Sequence, residues 1–240
     1  EILDQIQKNK LIEFLEKWIK NKIDSVLRNL IDLKNLKEKN SSIKALAFQL
    51  YENNGVVKRE QVSEYLKKLG QNERKILREL GVKFGRYHIF LFKLFKPEAV
   101  SLRTLLWKNY HQKYFNLKPP KFGLNFIDDK NFQNKNFMLL CGFEKFDNLF
   151  VRIDILERLF IQIINTKSDK EIKLIPEMLN LLGCNKENFK KLLQKMGYRF
   201  VEKEKDLFFR YTGDKNPKKI TKTNINKESP FKILKQLNLN

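Results

Sequence analysis

The stretch Leu80–Trp107, LGVKFGRYHIFLFKLFKPEAVSLRTLLW, governs the reading of the rest of the chain. Gly81 and Gly85 punctuate it four residues apart. Val82 to Phe92 is dense in β-branched and aromatic residues, which suit a pleated, half-buried surface. It predicts a strand or small hairpin bending at Gly85. Phe84, Tyr87, Ile89, Phe90, Phe92 and Phe95 supply apolar area, and Lys83, Arg86, His88, Lys93 and Lys96 alternate with them. Pro97 then opens a helical run in which Val100, Leu102, Leu105 and Leu106 recur at helical spacing. A core alone has no use for so many cations. Basic groups on a rigid aromatic support are what a phosphate backbone and stacked bases require.

Helices dominate on both sides of this block. Residues 1–36 read as an amphipathic helix, with Leu11, Phe14, Leu15, Trp18, Ile19, Ile23, Val26, Leu27 and Leu30 at a spacing of three to four. Its apolar face is expected to pack on its own unit or on a preceding domain. Three short helices follow, Ser42–Tyr51, Val57–Leu69 and Glu73–Leu80, closed by Asn53-Asn54-Gly55, Gly70 and Gly81. Residues 116–130 hold Pro119, Pro120, Gly123 and Asp128-Asp129 and read as a linker. Beyond them lies a weak internal repeat. Phe137–Phe143 leads into Leu149–Arg152, and Leu192–Tyr198 leads into Leu207–Arg210, each as helix, glycine, aromatic and hairpin. Helices Asp154–Asn165 and Ile175–Leu182 lie between.

The fold class is therefore mainly α with small β-hairpins. A helical accessory unit spans 1–115, with the basic aromatic hairpin near its end. A winged-helix-like unit spans about 131–212, with Lys186–Met196 as its recognition-type helix and Glu202–Asp206 as the wing tip. A basic tail covers 213–240, and composition predicts that it is loosely attached. Ser229-Pro230-Phe231 with Ile233, Leu234 and Leu237 forms a short apolar motif within it.

The formal charge is +21, from 49 basic and 28 acidic side chains in 240 residues. A Lys-, Asn- and Ile-rich composition accounts for the preference for Lys over Arg but not for this imbalance. Nor is the excess evenly spread. Residues 74–118 carry 11 basic and two acidic groups, and residues 203–240 carry ten and four. Clustered positive charge is the footprint of a polyanion site. No apolar run approaches the ~20 residues that a membrane span needs. Two cysteines, Cys141 and Cys184, and two distant histidines give no zinc pattern. Buried thiols suit a reducing, cytoplasmic setting.

The Leu80–Trp107 segment also resembles the region after the motor domains in bacterial members of the mitochondrial-degradosome RNA helicase family, superfamily-two ATP-dependent enzymes. Three more stretches follow the same order: Val151–Leu159, then Leu181-Leu182-Gly183-Cys184 running to Met196-Gly197-Tyr198-Arg199, and finally Ser229-Pro230-Phe231 with Leu234 and Leu237. Together they cover most of residues 41–240. The resemblance implies an accessory, non-catalytic portion that guides single-stranded RNA and lies against its own motor domains. ATP and magnesium would belong to those motor domains. No G-x-x-x-x-G-K-[ST] phosphate loop occurs in this chain, and nine glycines leave little material for one. A chain beginning at Glu1 within a helical pattern is expected to be the C-terminal piece of a longer protein.

The candidate nucleic-acid contacts are Lys83, Arg86, Tyr87, His88, Lys93, Lys96, Arg103, Lys186, Lys190, Lys191, Arg199, Lys218 and Lys219. Arginine grips phosphate bidentately, lysine acts as a point charge, and Tyr87 or His88 would stack on a base or bond a 2′-hydroxyl. Phe84, Phe90, Phe92 and Phe95 are expected to be core. Asp154, Glu157 and Arg158 share one helix face, where a cap and a local ion pair account for them better than catalysis. Two rival functions are a winged-helix DNA-binding regulator and an interaction module for an acidic protein partner.

Overall fold

Two helices precede the repeated part of the fold in the computed structural model, which describes residues 4–37, 40–130, 134–168, 171–203 and 206–213. The first, α1 (Gln5–Val26), begins with Asp4 and Gln7 in a reciprocal capping box. It buries none of its own residues fully, but Ile23 and Val26 at its end pack on the adjoining core, and Lys22 pairs with Glu98. The second, α2 (Arg28–Lys34), buries Leu30 and Leu33. The rest of the apolar face of α1, including Phe14 and Trp18, is exposed.

One supersecondary pattern then recurs three times. The first copy comprises α3 (Ser41–Glu52), β1 (Val56–Lys58), α4 (Ser63–Lys68), α5 (Gln71–Glu79), β2 (Val82–Phe84) and β3 (His88–Leu91), with strand order β1-β3-β2. The second comprises α6 (Pro97–Tyr110), β4 (Phe126–Asp128), α7 (Lys135–Leu140), β5 (Phe143–Phe146) and β6 (Leu149–Arg152), with order β4-β6-β5. The third comprises α8 (Ile153–Asn165), β7 (Lys167–Ser168), β8 (Glu171–Lys173), α9 (Pro176–Leu182), α10 (Lys186–Lys195), β9 (Tyr198–Lys203) and β10 (Asp206–Tyr211), with order β7-β8-β10-β9. In each copy the strand just before the central helices, β1, β4 or β8, pairs antiparallel with the last strand of the closing hairpin, and in the third copy β7 adds a further strand beside β8. The protein is thus mainly helical with small antiparallel sheets.

The local cause is shared. Each hairpin-leading helix ends on a glycine in the left-handed region: Gly81 (φ 90°), Gly142 (φ 89°) and Gly197 (φ 87°). The glycine N–H donates three residues back, to Arg78 O, Leu139 O and Gln194 O at 2.9, 2.9 and 3.1 Å. A residue with a Cβ pays a steric penalty in that conformation, so glycine ends the helix and turns the chain into the strand. The repeat legible in the second half of the sequence therefore has a third member at Leu77–Leu91. Its short β2 and its charged α5 hide the hydrophobic pattern that the other two display.

Each copy has its own core. Leu33, Ile43, Leu46, Leu50, Leu77, Val82, Ile89 and Leu91 belong to the first, Phe137, Met138, Phe143 and Phe150 to the second, and Leu156, Leu159, Phe189, Leu193 and Phe209 to the third. The cores are fused. Leu149 and Val151 of β6 belong to the third core, and Val56, Phe90 and Ile153 meet in a small cluster with Phe95 and Leu139.

Two expectations are corrected here. The helix expected from Val57 begins only at Ser63, because the β-branched pair Val56-Val57 is held as a strand against Phe90 and Ile89 of β3. Residues 116–130 are not a free linker. Phe126–Asp128 pairs with Val151–Leu149, and Asn125 Nδ2 donates to Leu181 O at 3.0 Å. Proline and glycine in that segment shape the approach to a strand rather than separate two bodies. Residues 214–240, with Lys218, Lys219 and the Ser229-Pro230-Phe231 motif, lie outside the described residues, as do residues 204–205 of the expected wing tip.

A Cβ at Gly142 would lie 2.9 Å from the Phe95 ring and would add left-handed strain. Gly142→Ala is expected to lower the unfolding free energy by about 1–3 kcal/mol. The check is a reduced urea midpoint with an unchanged m-value.

Candidate nucleic-acid interface

The turn between β2 and β3 is held by a side chain from the third copy. The Glu157 carboxylate of α8 accepts the backbone N–H of Arg86 at 2.5 Å, Tyr87 at 2.8 Å and His88 at 2.9 Å. Three successive amides facing one carboxylate form an anion nest built inside the protein. Gly85 makes the approach possible, since a Cβ there would sit 2.4–2.7 Å from the carboxylate atoms. Arg59 secures the same turn, donating its backbone N–H to Tyr87 O and its Nη1 to Gly85 O at 2.9 and 2.8 Å. Glu157 is thus spent on the turn, and the local ion pair expected on this face of α8 is not formed by Asp154 with Arg158, since Asp154 pairs with Arg152 instead. Asp154 is not the α8 cap either. It accepts both Nε and Nη2 of Arg152, at 2.7 and 3.0 Å.

Behind the turn a chain of charges joins all three copies. His88 Nε2 lies 3.0 Å from Glu144 Oε2, Lys58 Nζ lies 2.9 Å from Glu144 Oε1, and His88 Nδ1 lies 3.6 Å from Glu157 Oε1. Burial works against the His88 imidazolium, but its hydrogen bond to Glu144 and the attraction of the Glu144 and Glu157 carboxylates overcome it and raise its pKa. Burial likewise opposes the Glu144 carboxylate, yet His88 and Lys58 bring its pKa below the ordinary value. Both groups are therefore charged between those two values.

His88 and Arg103 must be withdrawn as ligand contacts. His88 is 2 % exposed and Arg103 is 3 % exposed. Arg103 spends its guanidinium on Asn54 O and Leu94 O, at 2.8 and 2.5 Å, and burial brings its pKa down to about 10. Lys93 and Lys96 are exposed on the turn before α6 but line neither groove described below. On α10, Lys190 is tied to Glu202 and the neighbouring Lys195 to Asp147, and Lys186 and Lys191 line neither groove.

The other candidates converge. Two adjoining grooves, of about 780 and 660 Å³, run beside the Gly85 turn and α8. The first is lined by the cations Arg59, Lys83, Arg86 and Arg158 above Phe84, Phe92 and Phe160. The second holds Arg86, Arg199 and Arg210 beside Tyr87, Tyr198 and Tyr211. Guanidinium groups cover the aromatic faces. Arg86 lies 5.6 Å from the Phe160 ring centre, and Arg74 and Arg78 lie 5.8 and 5.6 Å from that of Phe84. The acids in the first groove, Asp154 and Glu157, are already satisfied by Arg152 and the turn amides. Of the ten arginines in the sequence, five line these grooves, whereas Lys83 is the one lysine to do so among the described residues. Arginine concentrates where planar groups that bind phosphate and stack on rings are useful.

Sequence reasoning found Lys83, Arg86, Tyr87 and Arg199, but missed Arg59, Arg158, Phe160, Arg210 and Tyr211. They come from three distant stretches, around Arg59, Arg158–Phe160 and Arg210-Tyr211, and for the three arginines their rarity in a lysine-rich protein was the available signal. Among the described residues no group of three or more His, Cys, Asp or Glu could hold a metal ion. No helix there is long and apolar enough to cross a membrane. Compared with known protein families, curated proteins and solved structures, the chain matches none.

Glu144→Gln leaves Lys58 and buried His88 without their carboxylate and is expected to cost about 3–5 kcal/mol, read by urea unfolding. A raised folded-state pKa means that His88 contributes stability fully below the unfolded imidazole value, near ~6.5, and loses it as pH rises through the folded value. The stability gap between the native protein and His88→Gln should therefore narrow as pH rises beyond neutrality. For Glu144 the loss comes as pH falls through its lowered value.

Proposed function

We propose that this chain is a non-catalytic nucleic-acid-binding portion of an ATP-dependent RNA helicase, holding single-stranded RNA as it leaves the motor. One observation carries the binding reading: half of the arginines gather on two aromatic-lined grooves in a chain whose basic groups are otherwise mostly lysine. A composition bias would scatter arginine. Here it lines grooves whose cations would suit a phosphate backbone and whose exposed rings, Phe92 and Tyr211, would suit base stacking. The helicase assignment rests on the ordered stretches from Leu80 to Leu237. In that reading ATP, magnesium and the strand-separating chemistry belong to the motor, and this chain supplies passive affinity.

A second reading, a winged-helix DNA-binding regulator, draws support from the third copy. There helix, strand, two helices and a hairpin follow in order, with β8 beside β10 and β10 beside β9. Against it, Lys190 and Lys195 of the would-be recognition helix are paired with Glu202 and Asp147. That helix also presents no arginine to read guanine.

Fluorescence anisotropy with a labelled single-stranded RNA tests the proposal. Affinity is expected to fall linearly in log salt, with about 0.7 of slope per phosphate contact. Replacing Arg86 and Arg210 by Ala should weaken binding and lower the slope, with the unfolding curve unchanged, because both side chains are exposed. No binding at low salt would remove the reading, and tighter binding to duplex DNA than to a single strand would favour the regulator.

A further inference from the structure

The two grooves share two residues, Arg86 and Phe160. These form a ridge between them. The Arg86 guanidinium lies over the Phe160 ring at 5.6 Å, and the Tyr87 ring meets Phe160 edge-on at 5.5 Å with an interplanar angle of 77°. The ridge is braced from beneath, because the backbone of Arg86 and Tyr87 is fixed by Glu157 of α8, the helix that also carries Phe160. Cations and rings stand on both sides. Phe84 and Phe92 with Lys83 and Arg158 lie on one, and Tyr211 with Arg199 and Arg210 on the other.

A continuous stack of bases is a flat-sided column and needs one uninterrupted trough. Two pockets of nucleotide-binding size, divided by a planar cation on a ring, fit bases that have been parted. We propose that Arg86 and Phe160 form a septum that separates consecutive bases of a bound single strand. One base lies against Phe92, and the next against Tyr211, the exposed rings of the two grooves. The ligand class is then unpaired nucleic acid bound with a break in its stacking, and an intact duplex is excluded. This rests on the nucleic-acid reading above and deepens it.

The test uses the full chain and a single-stranded RNA of about six nucleotides carrying two adjacent 2-aminopurines. Anisotropy reports binding. The long-wavelength circular-dichroism couplet of the 2-aminopurine pair, which exists only while the two bases stack on each other, reports parting. The couplet is expected to be lost at saturation. Phe160→Leu keeps the apolar contact but removes the ring; it should restore the couplet and weaken binding about tenfold. Arg86→Lys keeps the charge and the backbone bonds but removes the planar group; it should restore the couplet with a smaller loss of affinity. Tight binding with the couplet intact would overturn the septum while leaving the nucleic-acid reading in place. Absence of binding at low salt would remove both. Loss of the couplet that persists in both folded variants would also overturn the septum.

Discussion

The Glu157 carboxylate beneath the Arg86–His88 turn is the interaction on which the rest depends. It comes from a helix some seventy residues downstream and accepts the hydrogen bonds of three successive amides beside the core. Its neighbour His88 links it to Glu144 and Lys58, so one buried run of alternating charge passes through all three copies of the repeat. Such a network is costly to desolvate, and it is stabilising only while every member is paired. What it supplies is register: the first hairpin cannot slide relative to α8 without exposing a carboxylate to apolar surroundings.

That register creates the interface. Arg86 and Tyr87 leave the turn on its outer side while their backbone is clamped within. Phe160 sits one turn along the same helix that does the clamping. The grooves therefore belong to no single copy. The first hairpin gives Lys83 and Arg86, α8 gives Arg158 and Phe160, and the last sheet gives Arg199, Arg210 and Tyr211. Four cations outnumber two acids in the first groove and the second groove is lined by no acid, so the field facing solvent is positive. A fused three-copy body holds these cations and rings in fixed positions relative to one another.

Arginine and lysine part company in this protein. Lysines dominate the exposed faces of α1 and α10, where several are paired with nearby acids. Most arginines enter the groove walls or donate to backbone carbonyls, as Arg74 and Arg103 do, whereas Arg28 and Arg152 pair with nearby acids. A rigid planar donor serves both roles, and a flexible ammonium serves neither as well. The charge total therefore says less than the identity and placement of each cation.

The sequence by itself determined what depends on local physics. Glycine at helix ends, proline at the first turn of α6 and α9, β-branched and aromatic runs, and the periodic leucines together fix a mainly helical chain with small hairpins. The bend at Gly85 was legible because its neighbours read as strand. Tertiary structure decided everything that joins distant segments. It made a strand of Val56-Val57 because β3 offered unpaired amides, and it drew residues 126–128 out of an apparent linker into a sheet. It turned His88 and Arg103 inward, where buried carboxylates and carbonyls needed donors. It also gathered Arg59, Arg158 and Arg210, whose positions in the chain show no pattern, onto one surface. Spacing carries the periodicity of one element. Convergence depends on which elements pack together, and here that was set by a single carboxylate meeting a single turn.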